Sequence, residues 1–112
     1  LEKPKASSAK KRSRASYDYE QERKLNNLAE MVFRIHMDLR EYEKAISCFK
    51  HNYIEQDPEV SLYVLLDLLE EYELKGHWIR EYNEAIKRGV KPRESLRRTH
   101  VVLQEEDEMA ET

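Results

Sequence analysis

Breakers of regular structure are scarce: the 112 residues include only 2 glycines and 3 prolines. In a chain rich in Glu, Lys, Leu and Arg, that scarcity favours helix over sheet. The two glycines, Gly76 and Gly89, are too far apart to build a glycine-rich phosphate loop. The single cysteine, Cys48, excludes an intramolecular disulfide framework and fits a reducing compartment. No apolar run approaches the roughly 18 residues of a membrane-crossing helix, so no membrane partner is expected. The basic N-terminus lacks the apolar core of a secretory signal. The chain begins with Leu1 rather than Met, as expected of either a processed form or a piece of a longer protein.

Charge is plentiful and segregated, although the net charge is only −3. Residues 1–16 are basic, through Lys3, Lys5, Lys10, Lys11, Arg12 and Arg14. Residues 55–73 carry acids and no base, residues 87–98 carry bases around Glu94, and residues 104–112 again carry only acids. The first sixteen residues show no apolar periodicity and read as a disordered basic arm; the acidic end, 104–112, reads as a disordered tail. Between them lies one helical domain, residues 17–103, with Ser16 as a candidate N-cap.

From Leu25 the apolar residues step by threes and fours: Leu25, Leu28, Val32, Ile35, Leu39, Tyr42, Ile46, Phe49, Tyr53. That spacing predicts one helical stripe ending near Gln56. Asp57 and Pro58 then supply an N-cap and a first-turn proline. The second stretch, 58–75, is apolar nearly all round, which predicts a central helix. Gly76 is read as its C-terminal glycine. Trp78, Ile79, Tyr82, Ala85 and Ile86 form a third amphipathic helix, closed by Gly89 and Pro92. A last weak helix, about 93–104, uses Leu96, His100 and Leu103. The expected fold is all-α, a small bundle of three to four helices.

The segment LREYEKAISCFKHNYIEQDP (39–58) resembles the second half of a tetratricopeptide repeat. Tyr42 follows the turn, Ala45 packs the hairpin, Phe49 is the later aromatic and Pro58 closes the unit; Ala29 is the small packing position of the preceding helix. Residues 59–92 resemble a second, degenerate unit through Gly76 and Trp78. Their close, AIKRGVKP, is similar to the end of a pentatricopeptide repeat through Gly89, Val90 and Pro92. Arg40 stands where the turn glycine belongs, and Tyr82 where a small residue does. The resemblance implies helical hairpins offering a groove to a partner. The unbroken stripe through Arg40 supports the alternative, a long first helix with coiled-coil or dimeric packing. The two readings differ on whether the backbone turns near residues 38–41.

No catalytic set is expected. Cys48 and His51 share a helix face at a spacing that suits zinc, but two further ligands are missing. Glu70–Glu71 and Glu105–Glu106 are adjacent in sequence, so their side chains point about 100° apart. Neither an enzyme nor a cofactor is implied. The expected function is protein–protein interaction or scaffolding in a nuclear multi-protein complex, with a cytoplasmic location as the alternative. Partner contact is assigned to Leu28, Val32, Ile35 and Tyr42, with Tyr63 and Tyr72 as further choices; tyrosine combines contact area with a polar tip. The partner is a peptide or helix in a groove or seam, or a second copy. Lys87, Arg88, Lys91, Arg93, Arg97 and Arg98 suit an acidic partner or nucleic acid. Lys10, Lys11, Arg12 and Arg14 suit a nuclear import signal or, together with the 87–98 cluster, the phosphate contacts of a nucleic-acid-associated helical protein, which is the alternative function.

Overall fold

The computed structural model describes the backbone of residues 3–111 and the side chains of residues 18–110. It is all-α, with five helices: α1 (Lys3–Asp38), α2 (Tyr42–Asn52), α3 (Pro58–Glu71), α4 (Lys75–Lys87) and α5 (Glu94–Glu111). The chain divides into two units, residues 1–54 and 55–112.

In the first unit α1 packs on α2. The stripe through Arg40 is not one helix: the backbone turns at Leu39–Glu41, and Arg40 takes φ 62°. The Glu41 N–H donates to the His36 carbonyl at 2.8 Å and the Arg40 N–H to the Met37 carbonyl at 2.9 Å. This pair of bonds is a Schellman closure, which satisfies carbonyls that the helix end would otherwise leave bare. The core uses Ala29, Phe33 and Met37 from α1 with Ala45, Ile46 and Phe49 from α2, all buried. Phe33 meets Phe49 edge-on at 5.9 Å, and Phe49 stacks on Tyr53 at 4.7 Å. Asn26 closes the open end of the hairpin. Its side chain donates to the Ile54 carbonyl at 2.8 Å and accepts the Ile54 N–H at 2.7 Å. α1 starts at Lys3 rather than after Ser16, and α2 ends at Asn52 rather than near Gln56. Lys, Arg and Ala are strong helix formers, and Pro4 falls in the first turn, where proline is tolerated. The import-like side chains Lys10, Lys11, Arg12 and Arg14 lie outside the described residues.

In the second unit α3 packs on α4, and α4 on α5. α3 begins as its sequence predicts: Pro58 opens it, and the Asp57 carboxylate accepts the Glu59 N–H at 2.9 Å. Leu62, Leu65, Leu66, Leu68 and Leu69 are buried, as a helix apolar nearly all round requires. The helix stops earlier than expected. It ends at Glu71, and Glu73 rather than Gly76 takes the left-handed turn, at φ 56°. Again the bonds form a Schellman closure, Leu74 N–H to Leu69 at 3.1 Å and Glu73 N–H to Glu70 at 3.0 Å. Gly76 lies inside α4. α4 ends at the expected glycine: Gly89 has φ 92°, with Val90 N–H to Ala85 and Gly89 N–H to Ile86 both at 3.0 Å. α5 does not dissolve at Gln104 but continues to Glu111. The residues beyond Gln104 are poor core material, yet none of them breaks a helix.

Candidate interaction surfaces

α1, with the turn residue Leu39 that follows it, carries two apolar faces. Ala29, Phe33 and Met37 face inward, while Leu25, Leu28, Met31, Ile35 and Leu39 are 49 %, 54 %, 59 %, 55 % and 63 % exposed. At about 100° per residue the two sets are centred roughly 140° apart, so the outer set is a surface and not the rim of the core. Of the residues assigned to partner contact, Leu28 and Ile35 lie on this surface. Val32 and Tyr42 are half-buried beside it. Met31 extends the stripe, and the threes-and-fours pattern passed over it by stepping from Leu28 to Val32.

Below the stripe, the turn is set by charge as well as by backbone. His36 Nδ1 and Glu41 Oε1 are 3.0 Å apart, and Lys44 Nζ lies 3.6 Å from the second carboxylate oxygen. The hydrogen bond with His36, helped by Lys44, holds the Glu41 carboxyl below its ordinary range.

The second unit brings together two residues assigned to different partners. The Arg93 guanidinium sits 4.8 Å over the Tyr63 ring, and its Nε donates to Glu59 Oε1 at 3.0 Å. Arg93 therefore ties the loop before α5 to the first two turns of α3, and it covers the Tyr63 ring. Tyr72 caps α3 and is half-buried. Arg97 makes a long contact to Glu94, 3.9 Å, with both side chains exposed. Lys87, Arg88, Lys91 and Arg98 are exposed and have no ion-pair partner among the described residues.

Lys91 and Arg97 also line a groove of ≈ 710 Å³ with Tyr82, Asn83, Ile86 and His100. One wall of it is an aromatic stack. Tyr82 lies 4.1 Å from His100 and 5.5 Å from Trp78, with interplanar angles of 17° and 11°. His100 Nε2 is 3.1 Å from Asn83 Oδ1, so the neutral tautomer with Nε2–H donates there. Burial pushes the His100 pKa down and the Tyr82 pKa up.

Other candidate chemistry stays apart. No group of three metal-ligating side chains forms among the described residues. Cys48 is half-buried, beside a shallow depression with His51. Glu70 and Glu71 are exposed, and Glu106 pairs with Lys75. Glu81 is a buried carboxylate in α4, its Oε2 3.5 Å from Arg80 Nε, and no sequence pattern marked it. Among the described residues no helix is long and apolar enough to cross a membrane.

No known protein family, curated protein or solved structure matches the chain.

Proposed function

We propose that this chain is a non-enzymatic protein–protein interaction module of tetratricopeptide-like helical hairpins, serving as a scaffold within a nuclear multi-protein complex. The observation that carries this reading is the outer stripe of α1. Four large apolar side chains of α1 and Leu39 just after it stand in solvent while a separate face of the same helix fills the core. Exposed apolar residues aligned along one helix are what a partner helix or peptide covers, by helix-in-groove or seam packing. The tetratricopeptide-like reading draws support from the two turns: Glu73 follows Arg40 by about one such repeat, roughly 34 residues, with the same closure at each.

The test replaces Leu28 and Ile35 by Asp. Neither side chain is in the core, so thermal unfolding is expected to stay where it is. Recovery of protein partners from a nuclear extract is expected to drop at least tenfold. Undiminished recovery with an intact fold would remove the stripe from the argument.

A second reading rests on Lys87, Arg88, Lys91 and Arg98, exposed cations without ion-pair partners among the described residues. They suit phosphate contact, and Arg can also stack on bases. Affinity for RNA or DNA falling steeply with salt, and weakened by Lys87→Glu with Lys91→Glu, supports it. Absence of nucleic-acid binding at about 50 mM salt, where phosphate contacts are strongest, sinks it.

A further inference from the structure

We propose that the outer face of α5 pairs with the same face of a second copy of this chain, antiparallel and about a two-fold axis. This goes beyond the reading of the α1 stripe and uses a different helix.

The inner side of α5 is marked by buried Leu96, with Thr99, His100 and Leu103 half-buried. On the opposite side lie Arg97, Arg98, Val101, Val102, Glu105 and Glu108, all exposed. Val101 and Val102 are 52 % and 51 % exposed, and they stand at the midpoint of a helix that runs Glu94–Glu111. The cations of this face, Arg97 and Arg98, lie with Glu94 on the N-terminal side of that midpoint, and Glu105 and Glu108 lie on its C-terminal side.

Arg97 has a long contact to Glu94, but the two carboxylates are not satisfied where they stand. Neither Glu105 nor Glu108 has a cation one turn away in α5, and neither has an ion-pair partner among the described residues. The last turn of α5 contains no base, so its carboxylates face the negative end of their own helix dipole. Cations brought from elsewhere offset both defects.

A second α5, turned about an axis through Val101 and Val102, supplies them. That operation sets position 98 opposite position 105 and brings position 97 close to 106–108, at both ends of the contact. The valines meet in the middle, where removal from water favours association. A parallel arrangement sets arginine against arginine and glutamate against glutamate, which like-charge repulsion forbids. The pattern is therefore complementary to itself in one orientation only, as an isologous contact requires.

One face of an 18-residue helix is a small contact. Interfaces that bury less than about 1,200 Å² are transient, so the dimer forms at roughly 0.1 mM and above. In sedimentation of the full chain at about 50 mM salt, the average mass is expected to rise from monomer towards dimer across that concentration. It is expected to fall back at 1 M salt, where the screening length is about 3 Å. Two charge-swapped variants test the charge pairing across the contact. Arg97→Glu with Arg98→Glu, and Glu105→Arg with Glu108→Arg, each repel themselves and are expected to remain monomeric. Mixed in equal amounts they are expected to form a heterodimer, because each then meets the charge it lacks. Leu28→Asp with Ile35→Asp is expected to leave the dimer intact. Circular dichroism of every variant checks that the helices remain. A wild-type chain that stays monomeric throughout overturns the proposal. So does a dimer that survives both swaps, or a mixture of the swapped chains that does not associate. A dimer lost only with Leu28 and Ile35 overturns it too, and moves the contact to α1.

Discussion

Arg40 and Glu73 hold the same position at the ends of α1 and α3: each is the left-handed residue of a Schellman closure, at φ 62° and 56°. Gly89 holds that position in a third, at φ 92°. A side chain in this region brings its Cβ against the following carbonyl and costs about 1–2 kcal/mol. Glycine relieves the strain but loosens the unfolded chain, so part of the gain is lost. Arg40→Gly and Glu73→Gly are each expected to stabilise by about 0.5–1 kcal/mol. Thermal unfolding followed by circular dichroism reads the effect, and a lower midpoint in either variant would contradict it.

The two glycines predict opposite signs for one substitution. A Cβ at either meets nothing within 4 Å, so sterics with neighbours play no part. Gly89→Ala is strained by its φ and is expected to cost about 1 kcal/mol. Gly76→Ala lies in α4, where alanine is the better helix former, and is expected to gain about 0.5 kcal/mol. Urea unfolding monitored by the single tryptophan, Trp78, reports both, since it lies with them in the second unit.

Asn26 uses donor and acceptor on one backbone residue, Ile54. Asn26→Asp keeps the acceptor and sets a second carboxylate oxygen against the Ile54 carbonyl. The expected loss is about 1 kcal/mol. Hydrogen exchange at the Ile54 amide is the local readout in Asn26→Ala, which removes its acceptor; unchanged protection there would mean the clamp does not close the hairpin.

His100 makes the second unit sensitive to pH. Its folded pKa lies below the ordinary histidine value of 6.5 because burial penalises the imidazolium. The folded state therefore prefers the neutral ring. Its contribution is complete above about 6.5 and is lost as pH falls through that value towards the depressed folded one. The urea midpoint of Trp78 fluorescence is expected to hold from pH 8 to 7 and to decline as pH falls below about 6.5. His100→Phe keeps a ring in the stack without a titrating nitrogen, and is expected to flatten that decline. Equal slopes in the two proteins would assign the effect to another group.

The features that were legible in the sequence are those whose chemistry belongs to a residue type. Asp57 accepts a backbone N–H and Pro58 needs none to be paired, so the start of α3 could be read directly. Gly89 tolerates positive φ, so the end of α4 could be read too. The turns at Arg40 and Glu73 could not, because backbone bonds hold them and the side chains there carry no turn preference. Gly76 drew the expected boundary towards itself, although the chain had already turned at Glu73. On α1 the threes-and-fours repeat gave a helix correctly but not its inward side. Periodicity finds an apolar face, and here there are two, with Ala29, Phe33 and Met37 taken into the core. The join of Arg93 to Tyr63 and Glu59 spans about a third of the chain and depends on α3, α4 and the loop before α5 folding together.

The two units each carry one reporter group that the other lacks. Cys48, the chain's one thiol, is half-buried in the first, and Trp78, its one indole, is buried in the second. Energy transfer from Trp78 to an acceptor attached at Cys48 thus measures the separation of the units in solution without changing a residue. The same pair would register any partner that draws the units together or holds them apart.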